Sequence, residues 1–212
     1  MAIMIQKNSN IPYERSKSGF YLKAFIIILT LGFIIKLIIE NLYCPAIKLR
    51  TTPIILESQS LAIKTFQLNP KFRPLHYNER DHFIENADKT ICDPSTSLMW
   101  QKNGSKKPLN FNHARAYILH LNKTNDKGYK DWRLPTIDEL LSLLKREKGA
   151  NQLYIHPIYT VIQPLFWSSD TLAAKTPFGI NKNSAWGVDY RFGYVFWAYL
   201  KSENYVRAVR SF

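Results

Sequence analysis

The histidine, serine and carboxylate side chains of this sequence do not form a pattern that is typical of a catalytic or metal site. The five histidines are spread along the chain, and His113 and His120, which share one predicted helix, are separated by about 10.5 Å along its axis. That separation is too large for both side chains to bind one small metal ion. The sequence contains no His-Glu-x-x-His, Gly-x-Ser-x-Gly or phosphate-loop pattern. We therefore expect neither a cofactor nor a metal ion, and no enzymatic activity.

Two groups of carboxylates contain residue types that could act in catalysis or bind calcium. Asp138 and Glu139 are adjacent, but they fall in the first turn of a predicted helix, where acidic side chains usually cap the helix and interact with its dipole. Asp126, Asp131 and Asp189 are too scattered along the chain to predict a calcium site. We interpret both groups as structural.

An aromatic and basic group near the C-terminus is the stronger candidate for a binding site. Its members lie along a predicted hairpin: Trp186, Tyr190, Arg191, Tyr194, Trp197 and Tyr199. Strand alternation places about half of them against the core. The exposed half could stack on sugar rings, and the guanidinium could pair with sulfates or carboxylates. The same composition would also suit a nucleic acid.

The elements that position these residues are two helices followed by several strands. Residues 112–122 have apolar side chains spaced as on one helical face. Thr136 and Glu139 have the spacing of a capping box at the start of a second helix. Short aromatic strands follow, including residues 184–190 and 194–200, which form the arms of the predicted hairpin. This order predicts an α+β domain.

Composition supports one folded domain with an appendage. The chain has 212 residues, of which 46% are hydrophobic and 21% charged, and this excludes a disordered or collagen-like protein. Lys and Arg number 29 against 16 Asp and Glu, so the formal net charge is +13. No long run of like charges occurs. The excess is compatible with a solvated basic surface or with a face that binds a polyanion.

The N-terminal region has the composition of a membrane segment. Residues 20–39 are apolar on every side and would span about 30 Å as a helix, provided that Lys23 and Lys36 reach the two interfaces. We predict a transmembrane anchor over residues 20–42, although a cleaved signal peptide is the alternative. The basic residues that precede it predict residues 1–19 in the cytoplasm and a periplasmic or extracellular C-terminal domain, as in a single-pass bacterial inner-membrane protein.

Residues 43–77 contain several prolines and predict an extracytoplasmic stalk before a domain that begins at residue 78. The two cysteines, Cys44 and Cys92, lie on either side of that boundary. In an oxidising compartment they could form a disulfide, and two free thiols fit the spacing equally well.

Four ordered blocks within residues 78–212 resemble the Lcl C-terminal domain family of bacterial proteins. They are a strand motif at residues 93–102, the segment Asp131-Trp132-Arg133-Leu134-Pro135 with Glu139-Leu140, the segment Phe166-Trp167-Ser168-Ser169, and the closing segment at residues 205–210. Ser97 departs from the family pattern, which has glycine at this place.

The resemblance implies a fold similar to the C-type-lectin-like, formylglycine-generating-enzyme type, with two helices and a twisted, mostly antiparallel sheet. It does not imply oxidase activity, because no cysteine follows Cys92. Within and beside the matched blocks, the side chains that we expect to hold the fold together are Trp100, Trp132, Arg133, Pro135, Thr136, Glu139, Trp167 and Arg207.

Two functions follow from these expectations. The first is a membrane-anchored, extracytoplasmic binding module that recognises an envelope glycan, an anionic polymer or a protein. The alternative is a structural subunit of a multi-protein cell-envelope assembly. The predicted partners are the lipid bilayer, through residues 20–42, and envelope proteins or an anionic glycan. Nucleic acid is disfavoured, because an anchored domain outside the cytoplasm rarely meets it.

Overall fold

The structure, a computed structural model, describes residues 30–31, 47–77, 82–159, 164–176 and 179–212. The chain divides into two compact units, Met1–Pro45 and Ala46–Phe212. All elements named below belong to the second unit.

The prediction of a membrane anchor is corrected by the structure. In the described ranges, no helix has the length and apolarity that crossing a bilayer requires. Of the predicted anchor at residues 20–42, only Thr30 and Leu31 are described, and the rest lies outside the described residues. The predicted transmembrane helix is therefore not supported, and neither is the single-pass inner-membrane localisation that depended on it.

The first of two sheets is built around a long hairpin. Strands β5 (Leu165–Thr176) and β6 (Gly179–Asp189) pair antiparallel, and β7 (Tyr194–Tyr199) continues the meander on the other side of β6. A short strand, β1 (Ile55–Leu56), adds in parallel to β5. The strand order is β1-β5-β6-β7, so that β7 forms one edge of the sheet.

The second sheet is antiparallel and contains β2 (Ile84–Glu85), β3 (Thr90–Asp93), β4 (Leu98–Gln101) and β8 (Val209–Ser211) in the order β2-β3-β4-β8. The last strand of the chain pairs with β4 and not with the aromatic meander. For this reason the prediction of one twisted sheet is wrong, since the strands divide into two sheets of four.

The turn between β3 and β4 explains why the family pattern has glycine at the position of Ser97. Asp93 accepts hydrogen bonds from the Ser95 amide and from the hydroxyl groups of Ser95 and Thr96, which closes the turn. Ser97 then adopts a φ of 54°, in the left-handed region where glycine carries no steric penalty. The serine in this chain therefore occupies a strained position.

Three α-helices are present in the described part of the second unit, α1 (Gln59–Thr65), α2 (Phe111–Thr124) and α3 (Ile137–Ser142), and a 3-10 turn, Asp126–Gly128, follows α2. Helix α2 buries Ala114, Ile118 and Leu121 along one face. Helix α3 begins at the Thr136 cap and is short, and the chain after it is held by a hydrogen bond from the Lys145 amide to the Tyr154 carbonyl.

Two apolar clusters pack on opposite faces of the first sheet. Trp186 and Val188 belong to the cluster that contains α3 residues, whereas Ala185 belongs to the cluster that contains α2 residues. Neighbouring positions on a strand point to opposite faces, so β6 separates the two clusters.

Residues 47–77, for which the sequence predicted a stalk, pack onto the domain. Strand β1 extends the first sheet, Phe66 and Leu68 are buried, and the Phe66 ring packs edge-on against Trp186 at 5.8 Å. At the N-terminal end of this segment, the Ile47 amide donates a hydrogen bond to the Ser95 carbonyl at 2.6 Å. The apolar residues of this segment cover the core of the first sheet, which explains why it folds against the domain.

Candidate functional site

The two adjacent acids of α3 are engaged in structural contacts. Glu139 is fully buried and accepts two hydrogen bonds of 2.6 Å from the Arg133 guanidinium. It also accepts one from the Thr136 amide, while the Thr136 hydroxyl accepts from the Glu139 amide, so the capping box is complete. Asp138 accepts from the Nε of Arg50 at 2.9 Å. Both carboxylates are therefore paired with arginine side chains.

Arg50 joins α3 to the first sheet, and sequence analysis did not find it. Its guanidinium binds both oxygens of the buried Asp170, at 2.8 and 2.9 Å. Asp170 also accepts from the amides of Ile54 and Ile137. Arg50 and Asp170 are 120 positions apart, and no local spacing pattern connects them.

Arg207, in the closing segment, is a fully buried cation. Its guanidinium donates to the carbonyl oxygens of Gln101 and Lys102, and lies over the rings of Tyr159 and Phe166, at 4.9 and 5.1 Å. Burial lowers its pKa to about 10. Cation–π contact and carbonyl acceptors stabilise the charge that burial disfavours.

The remaining residues with predicted structural roles lie in the interior. Trp100, Trp132, Trp167 and Pro135 are all buried. The indole N–H of Trp167 donates to the Leu109 carbonyl at 2.8 Å. This hydrogen bond holds the loop before α2 onto the first sheet.

No metal site is found in the parts of the chain that the structure describes, where no three His, Cys, Asp or Glu side chains are grouped to hold an ion. Asp131 pairs with Arg210 at 2.7 Å, and Asp189 accepts from the amides of Arg191 and Phe192. Cys92 is a free cysteine, while Cys44 lies outside the described residues, so the disulfide stays a prediction.

The six residues of the predicted ligand-binding group divide between core and surface. Trp186 and Tyr190 are completely buried, and the Tyr190 hydroxyl donates to the Leu140 carbonyl at 2.7 Å. Neither ring is available to a ligand at the surface. Arg191, Tyr194, Trp197 and Tyr199 are exposed or partly exposed and lie on or beside β7.

The exposed rings form two pairs along β7. Phe192 and Tyr194 stack with centroids 6.3 Å apart, and Trp197 and Tyr199 meet edge-on at 5.9 Å. Trp197 is 37% exposed and Tyr199 is 58% exposed, which is unusual for rings of this size in a strand. Burial raises the pKa of the Tyr194 hydroxyl, and the Asp189 carboxylate adds to this rise, so the group remains a hydrogen-bond donor at neutral pH.

Basic side chains from three separate segments surround these rings. Lys71 borders a groove of about 310 Å³ with Tyr194 and Trp197, and Lys201 borders a recess with Tyr199. Arg73 and Lys148 both lie over the Tyr154 ring, at 5.6 Å. That ring packs against Gly193 in the turn before β7, which connects these two cations to the same surface.

We name the surface along the edge of β7 the β7 face; it includes both sides of the sheet at this edge, because Tyr194 and Trp197 point to opposite sides. Its members are Lys71, Arg73, Lys148, Arg191, Phe192, Tyr194, Trp197, Tyr199 and Lys201. Within the described ranges, none of its five cations lies within 4.0 Å of a carboxylate, although the exposed acids Glu147 and Glu203 are near them in the chain. Sequence analysis missed Lys71, Arg73 and Lys148, since only the tertiary fold brings them to β7.

A second surface lies on the α2 side of the molecule. A groove of about 330 Å³ is lined by Pro53, Ile118 and Leu134 together with Arg115 and Arg133. Beside it, Leu119 is 69% exposed. This surface is mainly apolar, in contrast to the β7 face.

Comparison with known proteins agrees with the motif analysis. A search among curated proteins found no match. Residues 89–210, which include α2, α3 and strand β7, match the family model of the Lcl C-terminal domain. Because this match covers more than half of the chain, the protein belongs to the Lcl C-terminal domain family.

Proposed function

We propose that this protein is a binding module that recognises an anionic polymer, such as an acidic glycan, or an acidic protein surface through the β7 face. The observation that carries the proposal is the combination of two exposed ring pairs with five cations that have no carboxylate partner in the described parts of the chain. Rings supply apolar contact area and cations supply charge recognition.

The exposed rings favour a partner over a merely solvated surface. Exposed cations without a carboxylate partner also occur elsewhere among the described residues, for example Lys106 and Lys130, but no exposed ring pair lies beside them. On the β7 face the cations are left with aromatic rings as their neighbours. A surface of this kind attracts polyanions and steers them to the rings.

Salt-dependent binding tests the proposal. The probes are heparin and poly-glutamate, and binding is measured by calorimetry at increasing NaCl concentrations. Because salt screens charges beyond about 10 Å at 0.1 M, the affinity should fall steeply as salt is added. The double variant Arg191→Glu with Lys201→Glu should weaken binding by about tenfold or more at low salt, as expected from a loss of about 1.4 kcal/mol.

The matched control is Lys130→Glu together with Lys106→Glu, which makes the same change of charge at exposed positions outside the β7 face. These changes should weaken binding much less, and both double variants should keep the melting behaviour of the unaltered protein. If both reduce affinity equally, the attraction comes from the overall charge of +13 and not from the β7 face.

The second candidate function is a structural subunit of a multi-protein assembly. The exposed Leu119 beside its apolar groove favours it, because contiguous exposed apolar surface often marks a protein contact. Association through that surface would be insensitive to salt and to Arg191→Glu, and Leu119→Ser would abolish it.

A further inference from the structure

Strand β7 has no charge, proline or bulge of the kind by which natural edge strands avoid pairing with other chains, and the rest of the chain covers only part of its edge. Its residues, Tyr194–Tyr199, include no charge, proline or glycine. Its pairing with β6 runs without a bulge from Asp189↔Tyr194 to Ser184↔Tyr199. Edge strands are usually protected by lysines, prolines, bulges or covering segments, and a flat apolar edge readily accepts another strand.

The hydrogen-bonding pattern shows which backbone groups face outward from this edge. The Val195 amide donates to the Phe72 carbonyl at 2.8 Å, on the side away from β6. Because outward and inward groups alternate along an antiparallel strand, Trp197 and Tyr199 also direct their amide and carbonyl groups outward.

Only part of this edge is occupied. The Tyr199 carbonyl accepts from the Ser202 amide at 2.8 Å. Among the residues that the structure describes, the Trp197 N–H and C=O and the Tyr199 N–H have no backbone partner beyond the sheet. The bond from Val195 to Phe72 demonstrates that main-chain pairing is geometrically accessible here.

We infer that β7 binds an extended acidic peptide segment of a partner protein, which pairs with Trp197 and Tyr199 and adds a strand to the first sheet. The inference rests on the proposed function, since it assigns an occupant to the same face. Main-chain hydrogen bonds would supply affinity, and the surrounding side chains would supply specificity.

Charge identifies an acidic partner in preference to a second copy of this chain. Two copies of β7 paired antiparallel through their free positions, with Trp197 of one copy opposite Tyr199 of the other, would place Lys201 of each copy opposite Val195 of the other, beside which Lys71 lies. Like charges at these positions repel each other. An acidic residue near each end of the bound segment would instead form favourable pairs.

The size of the site sets the length of the segment. Because Phe72 already occupies the Val195 amide, the free part of the edge is the stretch from Trp197 to Tyr199, with Lys201 just beyond one end and Lys71 near the other. The centre of the segment would lie beside Trp197 and the groove lined by Lys71 and Phe72. Aromatic residues pack well against β-branched residues across strands, so a Val- and Thr-rich centre is expected.

The test uses the full chain and a synthetic peptide of about nine residues, with two glutamates at each end and alternating Thr and Val between them. A second peptide of identical sequence and charge carries N-methyl groups on alternate central amides, and a third carries them on the other central amides. In one of these two peptides the methyl groups block pairing with β7. We expect the unmodified peptide to bind and that peptide to bind at least tenfold more weakly.

Two protein variants separate the backbone from the ring. Trp197→Pro removes an outward amide, at a kind of edge position where proline is tolerated, whereas Trp197→Ala keeps the amide. The proline variant should lose binding of the peptide, and the alanine variant should keep most of it. If the proline variant does not fold, the comparison of the three peptides decides the question.

The outcomes distinguish this inference from the proposed function. Equal binding of all three peptides, or binding of heparin but of no peptide, overturns strand addition and leaves an anionic binding face. Dimers formed through β7 in place of peptide binding also overturn it. If none of the peptides, heparin and poly-glutamate binds, both the inference and the proposed function are wrong.

Discussion

The buried carboxylate of Glu139 connects a helix cap with an ion pair, and its removal should be costly. It accepts two hydrogen bonds from Arg133 and one from the Thr136 amide. We expect Glu139→Ala to lower the free energy of unfolding by about 3–5 kcal/mol, because the Arg133 guanidinium loses its partner. Denaturant unfolding measures this loss. The comparison variant is Thr136→Ala, for which a loss of about 1–2 kcal/mol is expected, and equal losses would contradict the assignment.

Asp138 should make stability depend on pH in a direction opposite to that of most ion-paired acids. Burial raises its pKa above the ordinary value of 3.8, and the nearby Asp170 adds to this rise against the effect of Arg50. A raised folded-state pKa means that the folded chain holds this proton more tightly than the unfolded chain. The stability that results is present below pH 3.8 and is lost as the pH rises through the raised pKa.

The variant Asp138→Asn isolates this contribution, since the amide cannot titrate and its oxygen still accepts from Arg50. Relative to the variant, the unaltered protein should become less stable as the pH is raised from 3 towards 7. Thermal melts of both proteins across this range measure the difference. A difference that grows in the opposite direction would show that the ion pair with Arg50 outweighs burial.

Contacts of single residues within one helical turn could be predicted from the sequence, whereas contacts between residues far apart in the chain could not. The Thr-x-x-Glu spacing predicted the capping box, because both of its hydrogen bonds form within one helical turn. The pairing of Arg50 with Asp170 depends on β1, β5 and α3 meeting in space, and no spacing rule encodes it. For the same reason Lys71 and Lys148 were absent from the predicted binding group.

At the level of elements, the segment formed by β1, α1 and the loop after them completes the core of the first sheet. The Phe66 ring packs against Trp186, and Phe72 stacks on the same indole at 6.3 Å. We expect Phe66→Ala to cost about 3–5 kcal/mol of unfolding free energy, as large buried rings do. The control is Leu61→Ala on the same helix, which is 43% exposed and should change stability by less than about 0.5 kcal/mol.

Deletion of the whole segment gives a sharper test. A chain without residues 1–45 keeps β1 and α1 and should unfold in one cooperative thermal transition. A chain without residues 1–77 exposes Trp186 and leaves Asp170 without Arg50, so it should lack a cooperative transition and bind hydrophobic dyes. Cooperative melting of the chain without residues 1–77 would indicate that β1, α1 and the loop after them are not required for the domain to fold.

The sequence predicted which helices and strands form better than it predicted which of these elements pair or pack together. The apolar periodicity of α2 predicted a helix, and the alternation of aromatic residues predicted the β6–β7 hairpin. The segment at residues 47–77 was assigned to a stalk, because its prolines and short apolar runs have no clear period. The division into two sheets was also missed, since β8 could have paired with either set of strands.

At the scale of the whole molecule, the closing segment at residues 205–210, together with Asn204 and Ser211, joins the two sheets. Asn204 exchanges backbone hydrogen bonds with Leu109, and Tyr205 bonds to both Leu165 and Trp167 of β5. The segment then pairs with Arg133 through Val209, and β8 completes the second sheet beside β4. One short stretch of chain thus contacts both sheets and the loop that begins α3.

This connection predicts that the two sheets unfold together. Tryptophan fluorescence, with Trp186 in the first sheet and Trp100 in the second, should change at the same denaturant concentration as the far-ultraviolet circular dichroism. A chain that ends at Glu203 should lose both sheets, because β4 would lose its partner β8 and β5 its bonds to Tyr205. A chain that lacks only Phe212, which is exposed, is the control and should unfold like the full protein. Two separate transitions in the full chain would mean that each sheet is stable alone and that the closing segment does not couple them.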